Sequence, residues 1–391
     1  MNYRINKKNN DKISALAFGC MRFPKCDSEA EQMIMTAIER GVNFYDTAYV
    51  YGNSEERLGA ILKKNNIRSK IFLATKLPTY LIKTFEDFDK IFERQLSRLQ
   101  TDYIDYYFIH NVTDLAIWER LISLGAHEWI EKKKAEGKIK NIGVSYHGGK
   151  EEFIKIIDSY PWEFTMLQYN YADENNQAGK SGFDYAVAKG IPVLIMEPLK
   201  GGQLTNALPQ SVKDIFTKEN QTRTLADWAL RWVLNHENAL TVLSGMGSLS
   251  MVEENIITAN EATANSLSES ELKMFKEVKT ELVGKIAVPC TGCGYCMPCP
   301  KGVDIPSCFG AYNNIALSGK KSALFNYIND TTLKQNPTNA GNCNSCKACE
   351  KRCPQFIAIA DELKKVKKSF EKLPYKIAKV LVRKKVLKGK I

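Results

Sequence analysis

The sequence predicts an α/β protein: a (β/α)8 TIM barrel that gives way to a small cysteine-rich module. Three observations lead there. From about residue 12 to 260, short apolar runs alternate with amphipathic helical stretches, the rhythm of repeated βα units. The apolar runs number eight in about 250 residues, the size of a closed parallel barrel. An open doubly wound sheet would carry a GxGxxG turn after its first strand, and none is present.

In order, the expected strands are AFGCM (17–21), NFYDT (43–47), KIFLATK (70–76), IDYYFIH (104–110), KNIGVS (140–145), FTMLQYN (164–170), IPVLIME (191–197) and ALTVLSG (239–245). The first helix is punctuated by Ser28 and Glu31 as a capping box and by Gly41 as its stop, with Met33, Ile34, Ala37 and Ile38 on one face. Asn53, with Glu56 three residues on, opens the next, whose apolar side is Leu58, Ile61 and Leu62. The barrel domain is expected over 1–265 and a connecting helix over 266–284, followed by a cysteine module over 285–360 and a basic tail over 361–391.

Composition narrows the function classes. Of 391 residues, 44% are apolar and 25% charged, the profile of a soluble globular chain. The polar, basic start MNYRINKKNNDKIS has no apolar core of a secretory signal, and no apolar run is long enough to cross a membrane. Eleven cysteines, an odd count without an export signal, point to a reducing compartment, read here as the cytoplasm. The net charge is +11, and residues 361–391 hold most of it: eleven lysines and one arginine against three carboxylates, a net +9. The body is nearly neutral and lacks the basic, aromatic-laced face that nucleic acid would need.

Barrel enzymes place their chemistry at the C-terminal ends of strands. Three runs end there in a strongly polar residue: NFYDTA in Asp46, IFLATK in Lys76 and YYFIH in His110, with Tyr51 in the loop after Asp46. Each alone is more often a structural ion pair or a packing residue; together they form a proton-transfer set. A tyrosine of ordinary pKa, about 10, is a poor acid near neutrality. An adjacent lysine is expected to lower it, and a carboxylate to hold that lysine.

These residues resemble a known family. GVNFYDTAYVYGNSEERLG (41–59), Lys76 and His110 at the matching intervals, EGKIKNIGVS (136–145), LQYN (167–170), EPLKGG (197–202) and SGMGSLSMVEENI (244–256) are similar to the aldo-keto reductases. The resemblance spans most of 12–260. It implies a barrel binding NADP(H) or NAD(H) and passing hydride to or from a small carbonyl or alcohol substrate. Tyr51 would be the general acid, Lys76 its modulator, Asp46 the partner of Lys76, and His110 the group that orients the carbonyl. It further implies Ser145 and Gln168 at the nicotinamide carboxamide, with Cys20 and Met21 near the same ring. Pro198 and Leu199 belong to the EPLKGG segment along the same cofactor. Glu254 and Asn255 would face the adenine, and the Gly245–Gly247 turn with Ser248 the phosphates. Two positions depart from the family's pattern: Tyr146 follows the serine, and Met196 replaces the aromatic that stacks on the nicotinamide. No Lys/Arg pair for a 2′-phosphate stands near Ser248.

Cys343, Cys346, Cys349 and Cys353, followed by Pro354, reproduce the ferredoxin run C-x2-C-x2-C-x3-C-P. Cys290, Cys293, Cys296 and Cys299, followed by Pro300, are one residue short in the last spacer. Three thiolates at two-residue gaps wrap one side of an iron–sulfur cube, and in two-cluster ferredoxins the fourth comes from the other run. The expected assignment is therefore two 4Fe–4S clusters: Cys290, Cys293, Cys296 and Cys353 for one, Cys343, Cys346, Cys349 and Cys299 for the other. Zinc would take two separated pairs instead. Cys308, Cys20 and Cys26 are left over. The module makes the chain similar to the ferredoxin-type, 4Fe–4S-containing aldo/keto reductases, with a C-terminal α-helical, ferredoxin-like di-cluster module behind the barrel.

Three uses of the combination are open to the sequence. The barrel reduces carbonyls while the clusters exchange electrons with an acidic ferredoxin or flavodoxin drawn to the basic tail. Alternatively, the chain is mainly an electron carrier with a weak barrel, which the Met196 departure favours, or the clusters are structural staples. The tail repeats Leu363, Val366, Phe370 and Leu373 at helical spacing, then Ile377, Val380, Leu381 and Leu387 beyond Pro374, a pattern that also suits docking on the body or contact with a membrane surface.

Overall fold

Ten strands occur among the described residues. β1 (Tyr3–Ile5) and β2 (Lys12–Ser14) pair antiparallel as a hairpin. β3 (Leu16–Gly19), β4 (Phe44–Asp46), β5 (Phe72–Pro78), β6 (Ile104–Val112), β7 (Ile139–Tyr146), β8 (Phe164–Gln168), β9 (Val193–Met196) and β10 (Ala239–Ser244) close into a parallel barrel, each beside the next and β10 returning to β3. These are the eight expected runs. The structure, a computed structural model, describes residues 1–206, 208–284, 287–288, 290, 296–334, 336–353, 357–373, 375 and 379–380.

The strands read as continuous apolar runs because both faces are covered. On β6, Tyr106 and Phe108 turn into the barrel with Phe44, Phe164, Met166 and Leu194. Tyr107 turns outward, giving its hydroxyl to Gln95 at 2.6 Å and packing against Trp129. A side chain of this size stabilises the fold by about 1.5–3 kcal/mol when fully buried, so one strand anchors interior and outer layer together.

The hairpin was not foreseen; three-residue strands in a polar segment leave too short an alternation to read. It plugs the lower end of the barrel. Asn6 donates to the Tyr106 hydroxyl at 3.0 Å, that hydroxyl donates to Asp11 at 2.6 Å, and Asn9 donates to Asn141 at 2.9 Å. Arg4 reaches the carbonyls of Leu234, His236 and Ala239.

The first helix departs from expectation in its cap. It runs Asp27–Glu39, its N-cap is Cys26, and Ser28 lies inside the first turn. Glu31 closes no capping box; it pairs with Lys64 at 2.7 Å, a stronger partner than a backbone N–H in reach. Met33, Ile34 and Ala37 are buried as expected. Asn53 is the N-cap of helix Ser54–Lys64 without a side-chain cap bond, and Leu58, Ile61 and Leu62 are buried.

The chain divides into two compact units. Residues 1–174, 178–201 and 220–272 form the barrel unit; residues 175–177, 202–219 and the described residues from 273 onward form the second. The second is helical among the described residues. A helix spans Glu269–Gly284, near the expected connecting segment. Helix Ile305–Thr331 is capped by Asp304, whose carboxylate accepts from Ser307 N–H at 3.1 Å, and kinks at Gly319, where φ is +72°. Helix Ile359–Phe370 carries Leu363, Val366 and Phe370 into one core with Val303, Ile305 and Tyr327. Leu373, placed on the same face by the sequence, is 70% exposed, because the helix has ended before it. Pro374, Ile377, Leu381 and Leu387 lie outside the described residues, as do Cys293 and Pro354. No described helix is long and apolar enough to cross a membrane.

Candidate active site and cluster-binding segments

The barrel brings Asp46, Lys76 and His110 to one mouth because each sits at or near the C-terminal end of adjacent strands β4, β5 and β6. Lys76 Nζ donates to Asp46 Oδ2 at 2.6 Å and to the Thr47 carbonyl at 2.7 Å, and both side chains are almost wholly buried. The same ammonium lies 4.8 Å from the centre of the Tyr51 ring, close enough for its charge to act on the phenol. Tyr51 meets His110 edge-on, ring centres 6.1 Å apart. The four residues that the sequence singled out are thus contiguous.

Their electrostatics differ from expectation at one point. Burial outweighs Lys76 and holds the Tyr51 phenol above its ordinary value, where the sequence suggested a lowered one; Asp46 and Glu197 push the same way. Tyr51 is therefore a phenol at neutral pH. Burial acts against the Lys76 charge, but Asp46 and Tyr51 together hold the ammonium above the usual lysine value. Burial raises Asp46, and Lys76 opposes that. His110 is driven well below the ordinary imidazole value by burial, then by Lys76 and His147, so it is neutral.

The residues expected along the cofactor fall at the ends of β3, β7, β8, β9 and β10 and just beyond. Met21 is 62% exposed at the mouth, whereas Cys20 is fully buried. Ser145 is buried near the end of β7, and Tyr146 turns aside to donate to the Gly149 carbonyl at 2.6 Å. Gln168 donates to Asp173 at 3.1 Å, and Asp173 pairs with buried Lys200 at 2.5 Å. Met196 ends β9, half-buried, followed by buried Pro198 and half-buried Leu199. Ser248 caps helix Leu249–Glu261, accepting from Met251 N–H at 3.4 Å. Asn255 donates to Ser244 at 2.8 Å, and Glu254 accepts from Thr224. An added Cβ at Gly245 would lie 3.5 Å from Arg22, and one at Gly247 3.6 Å from the Arg22 carbonyl, so the turn is open but overlain by Arg22.

Three residues at this mouth were missed. Arg22 donates to the Gly201 carbonyl at 3.2 Å. Glu197 follows β9 in a left-handed backbone conformation (φ +54°), is exposed at the mouth, and has its pKa raised by loss of solvent around the carboxyl and by Asp173. His147 follows β7, its N–H donating to the Val112 carbonyl at 2.9 Å. The rule that polar residues at strand ends line the site could have found Glu197 and His147; nothing in the sequence pointed to Arg22.

In the second unit Cys290, Cys299, Cys343, Cys349 and Cys353 lie partly buried on the rim of the helical core, and Cys296 is buried within it. None of the described cysteines is disulfide-bonded. Burial raises the Cys349 thiol, and Cys299 and Cys343 are close enough to raise it further. Among the described residues no three ligating side chains gather around a point that would hold one ion. A cube binds each thiolate at a separate iron, so an all-thiol set in this spacing suits a cluster better than a single metal.

Residues 15–280 match the aldo/keto reductase family, and residues 289–359 match the 4Fe-4S dicluster domain. The chain is 27% identical over 290 residues to L-galactose dehydrogenase of Arabidopsis thaliana, covering 67% of this chain and 89% of that protein. It is 30% identical over 218 residues to glyoxal reductase of Bacillus subtilis, covering 54% and 71%. The holo form of an aldo-keto reductase from Bacillus halodurans superposes with a TM-score of 0.61 at 26% identity, covering 71% of this chain and 96% of that one.

Proposed function

The chain belongs to the aldo/keto reductase family, an oxidoreductase barrel followed by a 4Fe-4S dicluster domain, and from that premise we propose that it interconverts a small carbonyl compound and its alcohol with NADP(H) or NAD(H). The observation that carries this reading is the buried Asp46–Lys76 pair beside Tyr51, with His110 edge-on to the phenol. The names of two relatives, a dehydrogenase and a reductase, belong to the two directions of such a conversion and support it.

In this reading Tyr51 gives its proton to the carbonyl oxygen during reduction and takes it back during oxidation. Its raised pKa keeps that proton in place until it is needed. Lys76 stabilises the negative charge left on the Tyr51 oxygen, and Asp46 with the Thr47 carbonyl fixes Lys76 in position. Neutral His110 donates an N–H to the carbonyl oxygen without competing for the proton. A bound nicotinamide supplies or accepts the hydride at the carbonyl carbon. Met21, Ser145, Gln168 and Met196 would hold its ring end, and Arg22, the Gly245–Gly247 turn and Ser248 at a helix N-terminus its phosphates.

The cysteine segments hold two 4Fe–4S clusters in the crossed arrangement, and the nearness of both Cys299 and Cys343 to Cys349 supports that pairing. Such clusters supply one-electron storage, which suits exchange with an acidic ferredoxin or flavodoxin in the cytoplasm, drawn to the basic residues of 361–391.

The test is anaerobic turnover of cluster-loaded protein with each reduced nucleotide and a panel of small aldehydes and ketones, wild type against Tyr51→Phe. Carbonyl reduction that drops at least a hundredfold in the variant is expected. Reduction that survives would sink the role of Tyr51. Clusters that exchange electrons while no carbonyl is reduced would favour an electron carrier instead.

A further inference from the structure

His147 is left unexplained by the proton-transfer set. It stands on the strand next to His110: Tyr146 is opposite Val112, and the His147 N–H binds the Val112 carbonyl at 2.9 Å, two residues beyond His110. Neighbouring strands run about 4.8 Å apart, so the two imidazoles project from adjacent strand ends at the same mouth. His147 lies near enough to Lys76 and His110 for their charges to act on one another.

Neither imidazole has a hydrogen-bond partner among the described residues; His110 has only its ring contact with Tyr51. Both are half-buried at the mouth, so a ligand that displaces water there meets two adjacent polar imidazoles. Burial and then Lys76 bring His147 down to about 4, so it offers one donor and one acceptor nitrogen and no charge. Such a group suits a hydroxyl better than an anion. All five tryptophans are buried, so none is left to wall the mouth with an apolar surface.

We propose that His147 is a specificity-determining residue that binds a hydroxyl on the carbon next to the reacting carbonyl, so that the substrates are α-hydroxy aldehydes or ketones and the corresponding vicinal diols. This rests on the placement of the carbonyl oxygen between Tyr51 and His110.

The chain has four histidines, which makes the test direct. His127 packs against Trp118 and His236 against Trp232, and both serve as internal controls. In full-length, cluster-loaded protein labelled isotopically at histidine, hydroxyacetone is expected to shift the imidazole signals of both His147 and His110. Acetone, which lacks the hydroxyl, is expected to shift His110 alone. Each ketone is titrated with and without oxidised nucleotide. In turnover, kcat/KM for hydroxyacetone should exceed that for acetone by about ten- to a hundredfold, and His147→Phe should bring the ratio close to one. If hydroxyacetone leaves His147 unmoved, or acetone moves it equally, the proposal is overturned whatever the turnover. If hydroxyacetone alone moves His147 but neither ketone is reduced with any nucleotide, the hydroxyl site stands and the nicotinamide reading falls.

Discussion

The barrel mouth and the cysteine module each depend on a carboxylate, and the two carboxylates hold different things. Asp46 holds a catalytic candidate directly: its oxygen lies 2.6 Å from Lys76 Nζ, and strands fix both. Glu371 holds a loop. It accepts from the Tyr327 hydroxyl at 2.6 Å, from Gly341 N–H at 2.7 Å and from Asn339 at 3.1 Å, just ahead of Cys343. In the barrel, protein atoms already bring the candidate groups together. In the module they bring cysteines to the rim of a small core of helices, where the proposed clusters would complete the site.

Removing iron should break that symmetry most sharply. Anaerobic chelation is expected to make residues of the module susceptible to limited proteolysis while the barrel keeps its helical circular dichroism; protection throughout would mean that the module's core suffices without metal. Lys76→Met comes next. It strands the buried Asp46 carboxylate and should cost about 3–5 kcal/mol of stability in urea unfolding, besides abolishing carbonyl reduction.

A smaller effect depends on pH. His147 titrates near 4 when folded and near 6.5 when unfolded, so between these values the unfolded chain binds more protons. Stability is therefore lost as pH falls through that window, and His110, shifted the same way, adds to the loss. After allowance for solvent at the mouth, His147→Phe should recover on the order of 2 kcal/mol of the wild type's loss between about pH 7 and about pH 4. The mildest change is Glu371→Gln, which keeps the shape but weakens three hydrogen bonds. It should cost about 1–2 kcal/mol and speed iron loss to a chelator severalfold; an unchanged rate would show that the loop needs no anchor.

Legibility divided along the same line. Eight strands could be read because a strand buried on both faces must be largely apolar, as the YYFI stretch of IDYYFIH is. Asp46, Lys76 and His110 were visible as polar residues interrupting such runs near their ends. The cysteine spacing was visible because metal ligation fixes intervals along the chain. What stayed hidden depends on distance in space. The cap moved from Ser28 to Cys26 because Glu31 found Lys64 on another helix. Burial, which overrides Lys76 at Tyr51, has no signature in the sequence. Arg22 reaches Gly201 from far along the chain, and no local pattern announces that contact.

The hairpin at the foot of the barrel has a kinetic consequence. With Asn6, Asn9 and Asp11 bonded across the lower end and aromatic side chains filling the interior, the described residues leave ligands the upper mouth as their opening. Whatever lies deeper has to arrive first and depart last. Two ligands sharing that opening must queue, and release of the inner one sets the earliest moment at which a new cycle can begin.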